Sequence, residues 1–171
     1  MSTRDAPNVI VFPPIIILAT VSLAVGLQWL VPLGLLAHID AACRLAAGAL
    51  LLLLGVLPTI AGAVTLRRRG TNVLPSRPAT ALITGGIYRW TRNPMYTGGA
   101  PVMIGIAIIF ALDWLPVLMI PSWLTLHFGV VRREEEYLEQ KFGDDYRRYR
   151  AQVPRYLGFA GSASAESLTT Q

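Results

Sequence analysis

Two stretches without a charged side chain, residues 13–37 and 45–66, constrain this chain more than any other feature. Each can supply the ~20 helical residues that cross a bilayer core. Backbone in hydrocarbon must satisfy its own hydrogen bonds, so such stretches become helices. Only 15% of the 171 residues are charged and 53% are hydrophobic, whereas an ordinary soluble domain is roughly 25% charged. Two such runs in so short a chain imply an integral membrane protein. The first run is expected to be retained. It is long for a signal peptide, Arg4 is offset by Asp5, and the Ala-His-Ile-Asp stretch after it is a poor cleavage site.

Two further apolar runs, 95–112 and 114–131, are separated only by Asp113 and predict a tight helical hairpin. The expected fold is therefore all-α and multi-pass, with spans near 13–36, 42–66, 95–112 and 114–131. Three regions follow: 1–66 with two transmembrane helices, 67–157 with the hairpin and a charged helix, and a small, polar, disordered tail over 158–171. With four spans, all 15 Lys and Arg residues except Arg44 fall on one side. The positive-inside rule makes that side, and both termini, cytoplasmic. The net charge of +5 thus belongs to arginines flanking apolar runs, which suits an anionic lipid surface rather than nucleic acid. The single cysteine, Cys43, excludes an internal disulfide and a multi-cysteine metal site, and no metal is expected.

The polar chemistry gathers in two segments on the cytoplasmic side. In the first, Gly85-Gly86 permits a tight turn and close backbone approach. Asn93-Pro94 then restarts the chain as a helix, with Asn93 suited to cap it and Pro94 in its first turn. A helix start presents unpaired N–H groups to an anion, although a membrane-entry loop with an arginine anchor would look much the same. The second segment opens with Arg132-Arg133-Glu134-Glu135. Most of its charges suit a solvated face, but Glu134 and Glu135 stand where the fourth span leaves the membrane. His127, a titratable group inside a span, is a candidate functional residue or a hydrogen-bonded structural one. Its seven-residue separation from Glu134 predicts a shared helix face.

Together these residues resemble the isoprenylcysteine carboxyl methyltransferase family and the related phospholipid N-methyltransferases. The first half of the pattern appears as Leu82, Gly86, Tyr88, Arg92-Asn93-Pro94, Tyr96 and Gly98. After the hairpin come Glu134-Glu135, Leu138, Phe142-Gly143, Tyr146, Tyr149 and Val153-Pro154. One departure is visible: the family's Arg-His-Pro is Arg92-Asn93-Pro94 here. Asparagine can donate a hydrogen bond but carries no charge.

The resemblance implies an S-adenosylmethionine-dependent methyltransferase with its cofactor in a cytoplasmic-facing pocket. Thr80, Leu82, Ile83, Gly86, Tyr88, Arg92, Asn93, Pro94, Met95, Tyr96 and Glu134 would bind that cofactor. The acceptor would be a small amphiphile or lipid, methylated on a carboxylate or an amine. Arg132 or Arg133 could hold a carboxylate, while Glu134, Glu135 or His127 could serve catalysis, the last two as a base for an amine. No glycine-rich dinucleotide fingerprint is present, so the soluble methyltransferase fold is excluded. Two other classes fit the architecture. A membrane-embedded NADPH-dependent reductase could use the arginines at 67–69 for phosphate, and a non-catalytic adaptor would leave the paired motifs unexplained.

Overall fold

The computed structural model describes residues 7, 9–74 and 77–157, and the regular elements among them are all helical. The expected disorder of 158–171 lies outside the described residues. Four apolar helices come first: α1 (Pro13–Leu30), α2 (Ala41–Arg68), α3 (Pro94–Ile109) and α4 (Trp114–Leu126). Two charged helices follow, α5 (Arg132–Phe142) and α6 (Asp144–Gln152). A π-helical segment, His127–Val131, joins α4 to α5. Three helical stretches are long and apolar enough to cross a membrane: α1, α2 and the continuous Trp114–Phe142 rod. Of the four expected spans, α3 is the short one. Its 16 residues rise ~24 Å at ~1.5 Å each, less than the ~30 Å hydrocarbon core.

Local chemistry sets the helix ends. Pro13 and Pro14 open α1 at positions where no intrahelical N–H bond is lost. The Asp40 carboxylate caps α2, accepting from the Ala42 and Cys43 amides at 2.9 and 3.1 Å. Arg67 and Arg68 close α2 at its negative dipole end. The outward faces of these helices leave Leu18, Trp29, Leu54 and Leu57 more than half exposed, a surface that only an apolar solvent suits.

The tightest packing is the antiparallel crossing of α2 and α3, organised by glycines seven residues apart. Gly48 lies against Gly105 and Ile109, Gly55 against Gly98 and Val102, and Gly62 against Pro94 and Met95. Seven residues are about two helical turns, so the glycines share one stripe and let the backbones touch. A Cβ on Gly55 would collide with the Gly98 carbonyl oxygen. Sequence reading places Gly98, Gly99, Ala100 and Gly105 on one small-residue face. The structure divides them: Gly98 and Gly105 meet α2, whereas Gly99 has no atom within 4 Å of a built Cβ.

α1 packs on α4. The Thr20 and Ser122 hydroxyls lie 2.6 Å apart across that contact. Ala24, Met103, Ala107, Leu112 and Leu115 form the buried core beneath them. At the end away from the arginines, the Asp113 carboxylate accepts from the Leu36 amide at 2.8 Å and from Gln28 Nε2 at 3.2 Å. Trp114 Nε1 donates to the Val31 carbonyl at 2.8 Å. These bonds hold the foot of α1 to the α3–α4 turn.

Candidate functional site

The two motif-bearing sequence stretches fold into one unit at the arginine-rich end. Arg92 is the central stitch. Its amide donates to the Pro154 carbonyl at 2.9 Å, its Nε to the Val153 carbonyl at 3.0 Å, and its Nη1 to the Tyr146 hydroxyl at 3.2 Å. The same Nη1 lies 2.8 Å from Glu135 Oε1, with both side chains 8% exposed. Arg155 completes the cluster, its Nη2 2.7 Å from Glu135 Oε2 and its Nε 3.0 Å from both carboxylate oxygens. A buried carboxylate between two guanidiniums is tolerable because its oxygens are all hydrogen-bonded. Tyr149 OH reaches the Tyr88 carbonyl at 2.7 Å, and the Thr91 hydroxyl and Asn93 Nδ2 both donate to the Arg155 carbonyl, at 3.1 and 3.2 Å.

Asn93 occupies the N-cap position of α3 as expected, yet its side chain makes no capping bond. Its amide is turned instead to Arg155, an attraction that no local pattern reveals. Helix α3 therefore starts with its first-turn N–H groups beside a cleft rather than under a side-chain cap.

That cleft is walled by Leu66 of α2, the loop residues Thr71–Leu74, Arg77, Ala79, Ala81 and Ile83, and by Tyr88. Arg92 through Tyr96 form its floor side, and Glu134, Glu135, Tyr137, Leu138, Tyr146 and Tyr149 close it. The Tyr96 hydroxyl is hydrogen-bonded to the Glu134 carboxyl. Glu134 is half-buried and faces this cleft. The apolar part of its helix ends at Val131, and the charged run from Arg132 follows it. Burial, with a smaller contribution from the Glu135 charge, pushes the Glu134 carboxyl up to about 8. The Tyr88 and Tyr149 hydroxyls are also pushed well above the usual phenol range by burial, so both stay neutral hydrogen-bonding groups.

A second cavity, of about 280 Å³, lies on the membrane side between α1, α3 and α4. Its wall is almost wholly apolar, and it shares Val73, Leu74, Met95 and Tyr96 with the cleft. Polar cleft and apolar chamber thus meet at the first turn of α3.

Of the residues expected to bind a cofactor, Ile83, Tyr88, Arg92, Asn93, Pro94, Met95, Tyr96 and Glu134 line the cleft. Thr80, Leu82 and Gly86 stand just behind its wall. Thr80 ties its loop to the end of α2 through Thr71 Oγ1 and the Gly70 carbonyl, at 3.1 and 2.9 Å. Leu82 packs with the tyrosines, and Gly86 takes a φ of 62° against Thr65. Arg132 is an exposed residue over the Phe128 ring, and Arg133 is likewise absent from both cavity walls. Arg67, Arg68 and Arg69 are exposed and outside both cavities.

His127 does not share the face of Glu134. Its ring stacks on Trp123 at 5.2 Å, and its Nδ1 is 2.9 Å from the Tyr156 hydroxyl. The reason is the π-helical segment between them, which inserts one extra residue and turns the following helix by ~100°. The segment before α1 lies against it, with the Ile10 amide donating to the Gly129 carbonyl at 3.1 Å.

Arg155, which follows the Val153-Pro154 pair, and several wall residues escape sequence reasoning. Only the fold shows that Arg155 holds Glu135. Val73, Leu74, Ala79 and Ala81 carry no chemical signal at all.

A family model described as phospholipid methyltransferase matches residues 43–145, more than half of the chain. An uncharacterised protein of Haemophilus influenzae is 47% identical over 47 residues, covering 28% of this chain and 71% of that protein. The fold is similar to the solved structure of the eukaryotic intramembrane Ras methyltransferase, isoprenylcysteine carboxyl methyltransferase. That likeness has a TM-score of 0.65 at 24% identity and covers 86% of this chain but 52% of the other. The present chain therefore spans about half the length of that enzyme.

Proposed function

Because this chain belongs to the phospholipid methyltransferase family, we propose that it is an S-adenosylmethionine-dependent methyltransferase of the membrane interface, methylating the polar head of an apolar-tailed acceptor. One observation carries this reading: a polar cleft and an apolar chamber share the wall at Met95 and Tyr96, beside Glu134. A methyltransferase needs a water-facing site for a charged cofactor and a lipid-facing site for its acceptor, meeting at one point.

The donor set suits that cofactor. Leu66, Ile83, Tyr88, Leu138 and Tyr149 offer apolar and aromatic walls for a purine, and the first turn of α3 offers N–H groups for a carboxylate. The bound cofactor supplies an already activated methyl group. The protein's own residues orient the acceptor head, exclude water and manage its proton. Val73, Leu74 and Met95 line the junction of the two cavities, and Tyr96 with Glu134 on the cleft side offers an acceptor and donor pair to the head.

An amine head suits this wall better than a carboxylate. Of the arginines lining the cleft, Arg92 is already bound to Glu135 and Arg77 is exposed on the loop. Among the described residues that line the cleft no further buried cation is left for an acceptor carboxylate, whereas Glu134 can take the proton that a nitrogen must shed. The family model's name points to a phospholipid acceptor and the structural neighbour's to a carboxyl group. The family match favours methyl transfer over nicotinamide chemistry or a passive adaptor. The charge asymmetry orients the arginine-rich end, both termini and the 67–94 connection toward the cytoplasm, with α3 as a short fourth span.

The test is binding followed by turnover on the protein in nanodiscs. Adenosylhomocysteine should raise its melting temperature, and NADPH should not. Glu134→Gln should remove most methyl transfer to amine acceptors. In the wild type the rate should climb as pH passes upward through about 8, where Glu134 loses its proton. Stabilisation by NADPH alone would overturn the assignment, and a pH profile unchanged in Glu134→Gln would remove Glu134 from the proton's path.

A further inference from the structure

The cleft is secured by different chemistry on its two sides. On one side, Arg92 and Arg155 hold the buried Glu135 carboxylate, tying the start of α3 and the segment after α6 to α5. On the other, residues 77–83 of the α2–α3 connection line the cleft with Arg77, Ala79, Ala81 and Ile83. Arg77 and Pro78 are exposed, so this wall faces solvent. Its root is bound to the end of α2, through the Thr80 amide on Thr71 Oγ1 at 3.1 Å and the Thr80 hydroxyl on the Gly70 carbonyl at 2.9 Å. Asn72 Nδ2 donates to the Pro78 carbonyl at 2.8 Å. These bonds fix the wall to the beginning of its own connection, and none of them reaches α5.

Tyr137 of α5 makes that crossing. Its hydroxyl accepts from the Ala79 amide at 3.1 Å. The same oxygen accepts from Lys141 Nζ at 3.0 Å, one turn further along the helix, and that ammonium lies 5.4 Å from the ring centroid. Both contacts hold the phenol in the pose from which it meets Ala79. In sequence Tyr137 stands between Glu135 and Leu138 of the family pattern without belonging to it. The Ala79 bond joins two neutral groups, and such a bond shifts an equilibrium by about two- to tenfold. The bonds of the Glu135 cluster are charge-assisted and roughly twice as strong, and breaking them leaves a buried charge unpaired. The side of the cleft that yields first is therefore the Tyr137 side.

We propose that Tyr137 is a positioning residue whose hydroxyl latches the 77–83 wall to α5, and that the cofactor enters and its product leaves by release of this latch. The inference rests on the methyltransferase reading and adds to it the route of cofactor exchange. A latch present in both the empty and the filled cleft slows passage in both directions. It leaves affinity nearly unchanged, because it stabilises the closed wall with or without ligand. A hydroxyl that bound the cofactor directly would act on release alone. Kinetics thereby separates the two roles.

Stopped-flow binding of adenosylhomocysteine to the full chain in nanodiscs reads both rates. Tyr137→Phe keeps the ring on the cleft wall and removes the hydroxyl. It should speed release by about two- to tenfold, speed association by a similar factor, and leave Kd within about twofold of wild type. Ala79→Pro removes the donor at the other end of the bond and should do the same. In the double variant the rates should rise no further than in the faster single, since both changes break one bond. Unchanged rates in Tyr137→Phe, with or without a lower melting temperature, would reduce the hydroxyl to a structural role and overturn the latch. Faster release with unaltered association would overturn it in favour of a direct cofactor contact. A double variant in which the two effects multiply would overturn the shared bond. A wild-type protein that fails to bind adenosylhomocysteine would instead overturn the reading on which the latch rests.

Discussion

The Arg92–Glu135–Arg155 cluster and the α2–α3 glycine seam both bring buried chain against buried chain, by opposite means. In the cluster, charges lying far apart in sequence meet with full hydrogen bonding. In the seam, contact is achieved by having no side chains, at Gly48, Gly55, Gly62, Gly98 and Gly105. The cluster ties together the elements that line the cleft, and the seam sets where α3 starts, because Gly62 seats Pro94 and Met95. Specific chemistry is needed where water competes. Within the apolar layer, fit suffices.

The largest expected effect breaks the first half of that comparison. Glu135→Gln leaves Arg92 buried beside a neutral group, and losing one member of a buried pair costs about 3–5 kcal/mol. Arg155→Gln should cost less, since Arg155 is 34% exposed and Glu135 keeps Arg92. Thermal unfolding in detergent ranks the two, and equal losses would mean that the cluster is not centred on Glu135.

A middle-sized effect tests the seam. Gly55→Ala must push α2 from α3, an overpacking cost of about 1–3 kcal/mol. Gly99→Ala, one residue off the seam on the open side of α3, should stay within about 0.5 kcal/mol of wild type. If both behave alike, the seam is not set by backbone contact.

The smallest effect lies at the turn between α3 and α4, where Ala111 holds a φ of 52°. A left-handed conformation costs a residue with a Cβ ~1–2 kcal/mol, and glycine loses ~0.5–1 kcal/mol of that advantage to chain entropy. Ala111→Gly should therefore raise stability by about 0.5–1 kcal/mol. A lower melting temperature would show that the Ala111 methyl contributes packing.

Much of this molecule is legible before folding. The apolar runs announce α1, α2 and α4, and Asp40 and Pro94 mark helix starts by purely local chemistry. The paired stretches around Arg92–Tyr96 and Glu134–Glu135 identify the cleft, since residue types at set spacings carry it. Reasoning by periodicity goes astray where the period changes. His127 and Glu134 part because His127–Val131 is π-helical, a feature with no residue signature in the sequence. Asn93 looks like a cap, but its amide is drawn to a carbonyl 62 residues away.

What the sequence by itself determined, then, is everything that depends on neighbours along the chain: the membrane-spanning helices, the gathering of charge at one end, and the family pattern of the cleft. Tertiary structure alone decided which glycines touch α2 and which opens on a chamber, that Glu135 is held by Arg92 and Arg155, and that a polar and an apolar cavity meet at Tyr96. Those outcomes depend on the crossing of helices distant in sequence, where a single residue of helical phase chooses between a packed face and an empty one.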